Sequence, residues 1–356
     1  MDKYAFMFTR DDHDDDDDDA TKNMSKIEKQ KKAAARGRNL WQQRYRDTPH
    51  VLCGRLHQIK AQRVHWKDGL GPTYGRYRAE LFYDEEEYYL QMDSHTAFTL
   101  NWDVILINMH LQLNNDYGVI STYPKPLQNP TLWHWTPIDA SFSRDIYVIC
   151  KTGVLVDKLT KSFKLSPANI IHNPGQPILT AFFAAGFSFQ KGHRITNVPY
   201  DPYAAFVFDG EEMSMAVRMW THGYDFYAPN ADVAYHLYSP NDKKIRPVFW
   251  ESDDWTKKKQ WKITRYSEFR LNVIMGLHDL LHNFIPKTSI DLREMEKYGL
   301  GDKRDVAGFW TFTRIDIKNL TELSPDLCPQ YRNGGMAPFR IPWKNKTEDP
   351  YGPVLV

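Results

Sequence analysis

Apolar and aromatic positions cluster in a few short runs separated by charged or glycine-containing segments. In the run Tyr88 to His95, Tyr-Tyr-Leu-Gln-Met-Asp-Ser-His follows the charged stretch Asp84-Glu85-Glu86-Glu87 and ends in an Asp-x-His pair. This pattern predicts a buried strand with Asp93 and His95 at its carboxyl end. Trp102 to Leu113 reads as a packed helix. Glu211 to Trp220 reads as an amphipathic helix with one buried face, stopped at Gly223, and Lys257 to Phe284 has the apolar spacing of a helix with a wide buried face. Gly69 to Arg78 reads as a tight loop before a helix running to about Tyr83. Further short elements are expected at Leu40–Arg46 (a helix end), Val51–Leu56 (a strand) and Asp291–Tyr298 (a helix-and-turn unit).

In open α/β sheets the ligand crevice lies outside the carboxyl ends of the strands, where Asp93 and His95 are expected. Two residues apart, a carboxylate and an imidazole in a turn past a strand end can converge on one divalent cation. Most Asp-x-His triplets are solvated turns, so the pair by itself does not decide between the two readings. His236, in Tyr235-His236-Leu237-Tyr238, is open to a structural role in an aromatic cluster or to a ligand role. Arg76 and Arg78 read as solvated helix charges or, beside a glycine-rich helix start, as anion-binding groups. Glu211 and Glu212 suit a helix first turn through the dipole alone. Asp201 and Asp209 sit in Asp-Pro and Asp-Gly turn signals.

Ala-Gly-Phe-Ser-Phe at 185–189, Asp201-Pro202, Gly210-Glu211-Glu212, Arg218-x-Trp220-Thr221-x-Gly223-Tyr224 and Tyr235-His236-x-Tyr238 follow Asp93-Ser94-His95 in this order. Over roughly residues 50–315 this order resembles the hydroxyproline-directed polypeptide N-acetylglucosaminyltransferases, whose best-known member modifies the adaptor subunit of SCF ubiquitin ligases. In plan it also resembles the retaining polypeptide N-acetylgalactosaminyltransferases. The resemblance implies a GT-A α/β fold with a mixed, mostly parallel sheet flanked by helices. It implies Mn2+ or Mg2+ held by Asp93, His95 and His236, a UDP-N-acetylglucosamine donor met by Arg76, Gly71 and Asp93, and Glu211 facing the sugar hydroxyls or the acceptor. A polypeptide acceptor, with the SCF adaptor as its carrier, is implied too. The chain departs from the family at its start: the first nucleotide-binding strand has no counterpart, and is missing or replaced by Tyr4 to Arg10, ahead of the aspartate run Asp11 to Asp19. The readings that remain open are a different acceptor, such as Thr, Ser or a glycan, and a binding module without activity.

Composition narrows the classes further. A chain of 356 residues, 42% apolar, can bury a large core, and its net charge of +1 gives no argument for nucleic acid or an anionic membrane as partner. No apolar run approaches a membrane span. Cys53, Cys150 and Cys328 are odd in number and far apart, which predicts neither a disulfide framework nor a zinc site and agrees with a reducing, cytoplasmic setting. The expected organisation is a low-complexity acidic and basic arm at 1–47, a catalytic domain at 48–318 including helices from about 257, and a loosely packed Pro-rich tail at 319–356.

Overall fold

The computed structural model describes residues 58–65, 68–127, 144–153, 163–238, 249–252, 255, 257–278, 287–336 and 338–351. Two compact units divide at Asp68/Gly69. Everything below concerns the second. The N-terminal arm, Tyr4 to Arg10, Val51 to Leu56 and Cys53 lie outside the described residues.

The second unit opens with helix α1 (Pro72–Glu80). Gly71 precedes it at φ 87°, a conformation that favours glycine, and Pro72 occupies the first turn, where its missing N–H is not needed. The helix thus starts and ends earlier than the sequence pattern predicts, and Arg76 lies on it rather than in a loop. Strand β1 (Tyr88–Met92) leads through a turn at Asp93-Ser94-His95 into β2 (Thr96–Phe98), then α2 (Trp102–Leu113), β3 (Gly118–Ser121) and β4 (Lys125–Pro126). Further along come β5 (Ile178–Thr180), β6 (Phe187–Lys191), α3 (Glu211–Thr221), β7 (Asp225–Ala228) and β8 (Ala234–His236). Helices α4 (Gln260–Ile274), α5 (Val306–Phe312) and α6 (Cys328–Arg332) follow.

The main sheet has the order β1-β6-β3-β7-β5, and a smaller one the order β2-β8-β4. The mixed α/β architecture is as expected, but the balance of directions is not. Among the described residues β7–β3 is the one parallel pair of the main sheet, and β1–β6, β6–β3 and β7–β5 are antiparallel. β1 is an edge strand and mostly half-buried, not the buried strand the sequence pattern predicts. Its apolar look comes from side chains covering it: Tyr88 stacks on Phe189 at 5.2 Å, and the Lys191 ammonium lies 4.2 Å above the Tyr88 ring.

Helix α3 is buried on nearly every side, Glu212 being the exception, rather than on one face. It shares a core with Val119 and Phe226 of the sheet and with Phe309 and Trp310 of α5. Each fully buried Met or Trp side chain there contributes about 1.5–3 kcal/mol. The helix ends at Gly223, φ 93°, where a Cβ would stand 2.4 Å from the Trp343 indole.

That indole belongs to the segment expected to be loose. Leu327, Cys328, Tyr331 and Trp343 are buried, and the Tyr331 hydroxyl accepts the Ala181 N–H at 2.9 Å. The tail therefore closes the core. Cys150 and Cys328 form a disulfide across 178 residues, correcting the expectation of unpaired cysteines. Sequence spacing says nothing of which distant segments meet. Disulfides belong to oxidising settings, so the cysteine count no longer supports a reducing compartment. Among the described residues no helix is long and apolar enough to cross a membrane.

Peptide mapping without reductant is expected to recover Cys150 and Cys328 in one linked fragment. Cys328→Ser should lower stability by about 2–5 kcal/mol. Equal melting of parent and variant without reductant would remove the bridge from the stabilising contacts.

Candidate active site

The turn after β1 and the end of β8 meet because β2 and β8 pair antiparallel, Thr96 opposite His236. The Leu237 N–H donates to the His95 carbonyl at 3.0 Å, which brings the two imidazoles to 4.1 Å between ring centres. His236 Nε2 lies 3.3 Å from Asp93 Oδ2, and its Nδ1 is buried without a protein partner. One ligand atom from each of Asp93, His95 and His236 falls within 4.8 Å of the others. Two imidazoles and one carboxylate form a donor set that first-row divalent ions accept. The Tyr238 ring lies 4.1 Å from His236.

Arg76 reaches this cluster from α1. Its Nη1 donates to both Glu211 oxygens at 2.7 and 2.9 Å, and its Nη2 donates to Asp93 Oδ1 at 3.0 Å and to the Ala185 carbonyl at 3.3 Å. Glu211, the first residue of α3, is 4% exposed, so both it and the guanidinium are largely out of water. Burial works against the Arg76 charge, but the Glu211 carboxylate, with Tyr200 and Asp93, outweighs it and holds its pKa above the ordinary value. Burial pushes the Glu211 carboxyl up, against the pull of Arg76 and a hydrogen bond from Tyr200. At Asp93 burial also pushes up, but the His236 hydrogen bond and the charge of Arg76 prevail and lower its pKa to about 2. Asp93 is therefore a carboxylate across the physiological range.

The structure thus brings together Arg76, Asp93, His95, Glu211 and His236. At Gly71 a Cβ would lie 2.9 Å from the Phe206 Cα, so the position demands close backbone packing. Arg78 turns to the Tyr74 hydroxyl at 3.3 Å. Asp201 pairs with Arg270 at 2.7 Å and Asp209 with Lys164 at 3.2 Å, and neither joins the cluster. Arg218 is buried and donates to the Pro199 carbonyl at 2.8 Å. Sequence reasoning missed Glu212, Tyr123 and the backbone of Ala185-Gly186. Glu212 Oε1 accepts the Ala185 N–H at 2.9 Å, Oε2 accepts the Tyr123 hydroxyl, and burial pushes the carboxyl up to about 7. The doubled Glu after Gly210 was the available signal, but the helix dipole explained both residues equally well.

The model of the glycosyltransferase (GlcNAc) family matches residues 8–319. The chain belongs to that family. The matched span includes every member of the cluster. The search of curated proteins finds no match. Among solved structures, the glycosyltransferase (GlcNAc) chain is similar to GalNAc-T7, crystallised with UDP, GalNAc and Mn2+, at 13% identity and a TM-score of 0.43. The similarity covers 75% of this chain and 48% of that one, so the chain spans about half of its length.

Replacing His95 or His236 by Ala should weaken Mn2+ binding at least tenfold, about 1.4 kcal/mol, in a calorimetric titration of metal alone. Parent-like affinity in His236→Ala would take that imidazole out of the cluster.

Proposed function

We propose that the chain is a retaining GT-A glycosyltransferase that moves N-acetylglucosamine from UDP-N-acetylglucosamine to a polypeptide hydroxyl, with hydroxyproline as the acceptor. The observation that carries this reading is the convergence of Asp93, His95 and His236 within 4.8 Å in a member of the glycosyltransferase (GlcNAc) family. Asp93, His95 and His236 would hold Mn2+ or Mg2+. A bound divalent cation would offset, as a Lewis acid, the charge that grows on the diphosphate as the glycosidic bond breaks.

The residues of this chain then position and neutralise. Arg76, fixed by Glu211 and Asp93, presents a guanidinium whose direction is set before the donor arrives, so it costs little reorganisation during reaction. Glu211 both orients Arg76 and offers carboxylate oxygens to sugar or acceptor hydroxyls. Retention needs no protein nucleophile: the bond from the anomeric carbon to phosphate breaks, the bond to the acceptor oxygen forms on the same face, and the leaving phosphate takes the acceptor's proton. The adaptor subunit of SCF ubiquitin ligases is the acceptor carrier that the motif order favours.

The test is mass spectrometry of peptides incubated with the protein, UDP-N-acetylglucosamine and Mn2+. One N-acetylhexosamine is expected on a hydroxyproline peptide. Label on a threonine peptide alone would change the acceptor, and no transfer or donor hydrolysis with any peptide would favour a binding module. Glu211→Gln should lower turnover by about 10²-fold. Because Glu211 is a buried partner of Arg76, the same change should also cost about 1–3 kcal/mol of stability, read by denaturant unfolding. Loss of stability with turnover per folded molecule unchanged would leave Glu211 a purely structural role.

A further inference from the structure

Glu212 has no place in the chemistry above, yet it is bound to the backbone on which that chemistry rests. Its Oε1 accepts the Ala185 N–H at 2.9 Å, and Ala185 is only 4% exposed. The same residue's carbonyl accepts from Arg76 Nη2 at 3.3 Å and from Gln91 Nε2 at 2.7 Å. One residue further, the Gly186 carbonyl accepts the Asp93 N–H at 3.0 Å, and a Cβ on Gly186 would stand 3.0 Å from Asp93 Oδ2. The segment is pinned on its other flank too, where the Ala184 N–H donates to Ser121 Oγ at 2.8 Å.

Ala185-Gly186 is therefore a short crossbar. One side bears on Arg76 and Asp93, and the other side is held by Glu212, itself steadied by the Tyr123 hydroxyl. Without the Glu212 carboxylate the buried Ala185 N–H has no acceptor, and the crossbar relaxes toward another one. Its carbonyl then moves relative to the Arg76 guanidinium, and the Gly186 backbone relative to the Asp93 carboxylate.

We propose that Glu212 is a positioning residue, which acts through the backbone of Ala185 and Gly186 to fix Arg76 and Asp93 for the donor. This rests on the donor-site reading given under Proposed function. It assigns separate duties to the paired glutamates that open α3. Glu211 touches the guanidinium itself, and Glu212 holds the backbone beside it. It also gives Gly186 a reason, since a side chain there would push on Asp93.

The experiment is calorimetric titration of UDP-N-acetylglucosamine with Mn2+ into the full chain, for the parent, Glu212→Ala, Glu212→Gln, Arg76→Lys and the Glu212→Ala/Arg76→Lys double variant. Glu212→Ala should bind about 10- to 100-fold more weakly, the range for groups that orient a site without touching the ligand. Glu212→Gln keeps one oxygen for the Ala185 N–H and should recover most of that loss. Adding Glu212→Ala to Arg76→Lys should cost clearly less than Glu212→Ala costs in the parent, because part of its effect passes through the guanidinium already removed. A purely structural Glu212 would give additive losses, and additivity overturns the proposal. Parent-like binding by Glu212→Ala also overturns it. Should Glu212→Ala not fold, as judged by its circular dichroism melt, Glu212→Leu, which fills the space without offering an acceptor, is compared with Glu212→Gln, which keeps one. Binding at least about fivefold weaker for Glu212→Leu than for Glu212→Gln supports the proposal, and any smaller difference overturns it. A parent that fails to bind the donor with Mn2+ overturns the donor-site reading and this role together, whereas binding by the parent with additive variants overturns the role of Glu212 alone.

Discussion

Arg76 is the cation on which the site depends. Largely removed from water, its guanidinium is tolerable only because Glu211 takes two of its hydrogen bonds and Asp93 a third. Those carboxylates come from different elements, one opening α3, the other ending β1, and Arg76 itself is on α1. Folding cannot bury this arginine without bringing the three elements together, 135 residues separating Arg76 from Glu211. Removing either carboxylate leaves a buried charge with part of its compensation gone, so stability and site geometry fail together.

A second constraint acts through the backbone. Asp93 leaves the main sheet, and by Thr96 the chain has entered the smaller one, so the Asp-x-His turn is a junction between two sheets. The pairing of β2 with β8 then fixes His236 opposite Thr96. The two histidines meet by strand register, a tighter control than two loops would give, because a one-residue slip turns a side chain to the other face.

Asp93 and His95 were legible because an apolar run ending in two ligand-type residues is a local pattern. His236 was not legible from its own surroundings, where Tyr235 and Tyr238 offered an aromatic cluster, and only the order of motifs singled it out. Arg76 was preferred to Arg78 through the resemblance alone, and its partner Glu211 is a long-range fact that no local pattern carries. The burial of β1 was misread for a physical reason. Tyr88, Tyr89 and Leu90 look like a buried strand, but ring stacking and a lysine stem make a half-buried edge strand look equally apolar in sequence. The same limit hid the Cys150–Cys328 pair and the buried tail, both made by contacts between distant segments.

Charge arithmetic joins these points to the proposed reaction. The Arg76–Glu211 ion pair cancels, and the Asp93 carboxylate beside it leaves one negative charge among these three groups, −2 + 1 = −1. An overall negative cluster attracts a divalent cation, and holding one would bring it to +1, the sign that complements a diphosphate. Protonation of Asp93 would spoil that balance. The His236 hydrogen bond and Arg76 keep the Asp93 carboxyl at about 2, against the upward push of burial, so acid loss of the carboxylate lies far below neutral pH. In the proposed reaction Arg76 would therefore serve twice: it helps keep Asp93 ionised, and it would be a positive neighbour for the phosphates that a cation brings.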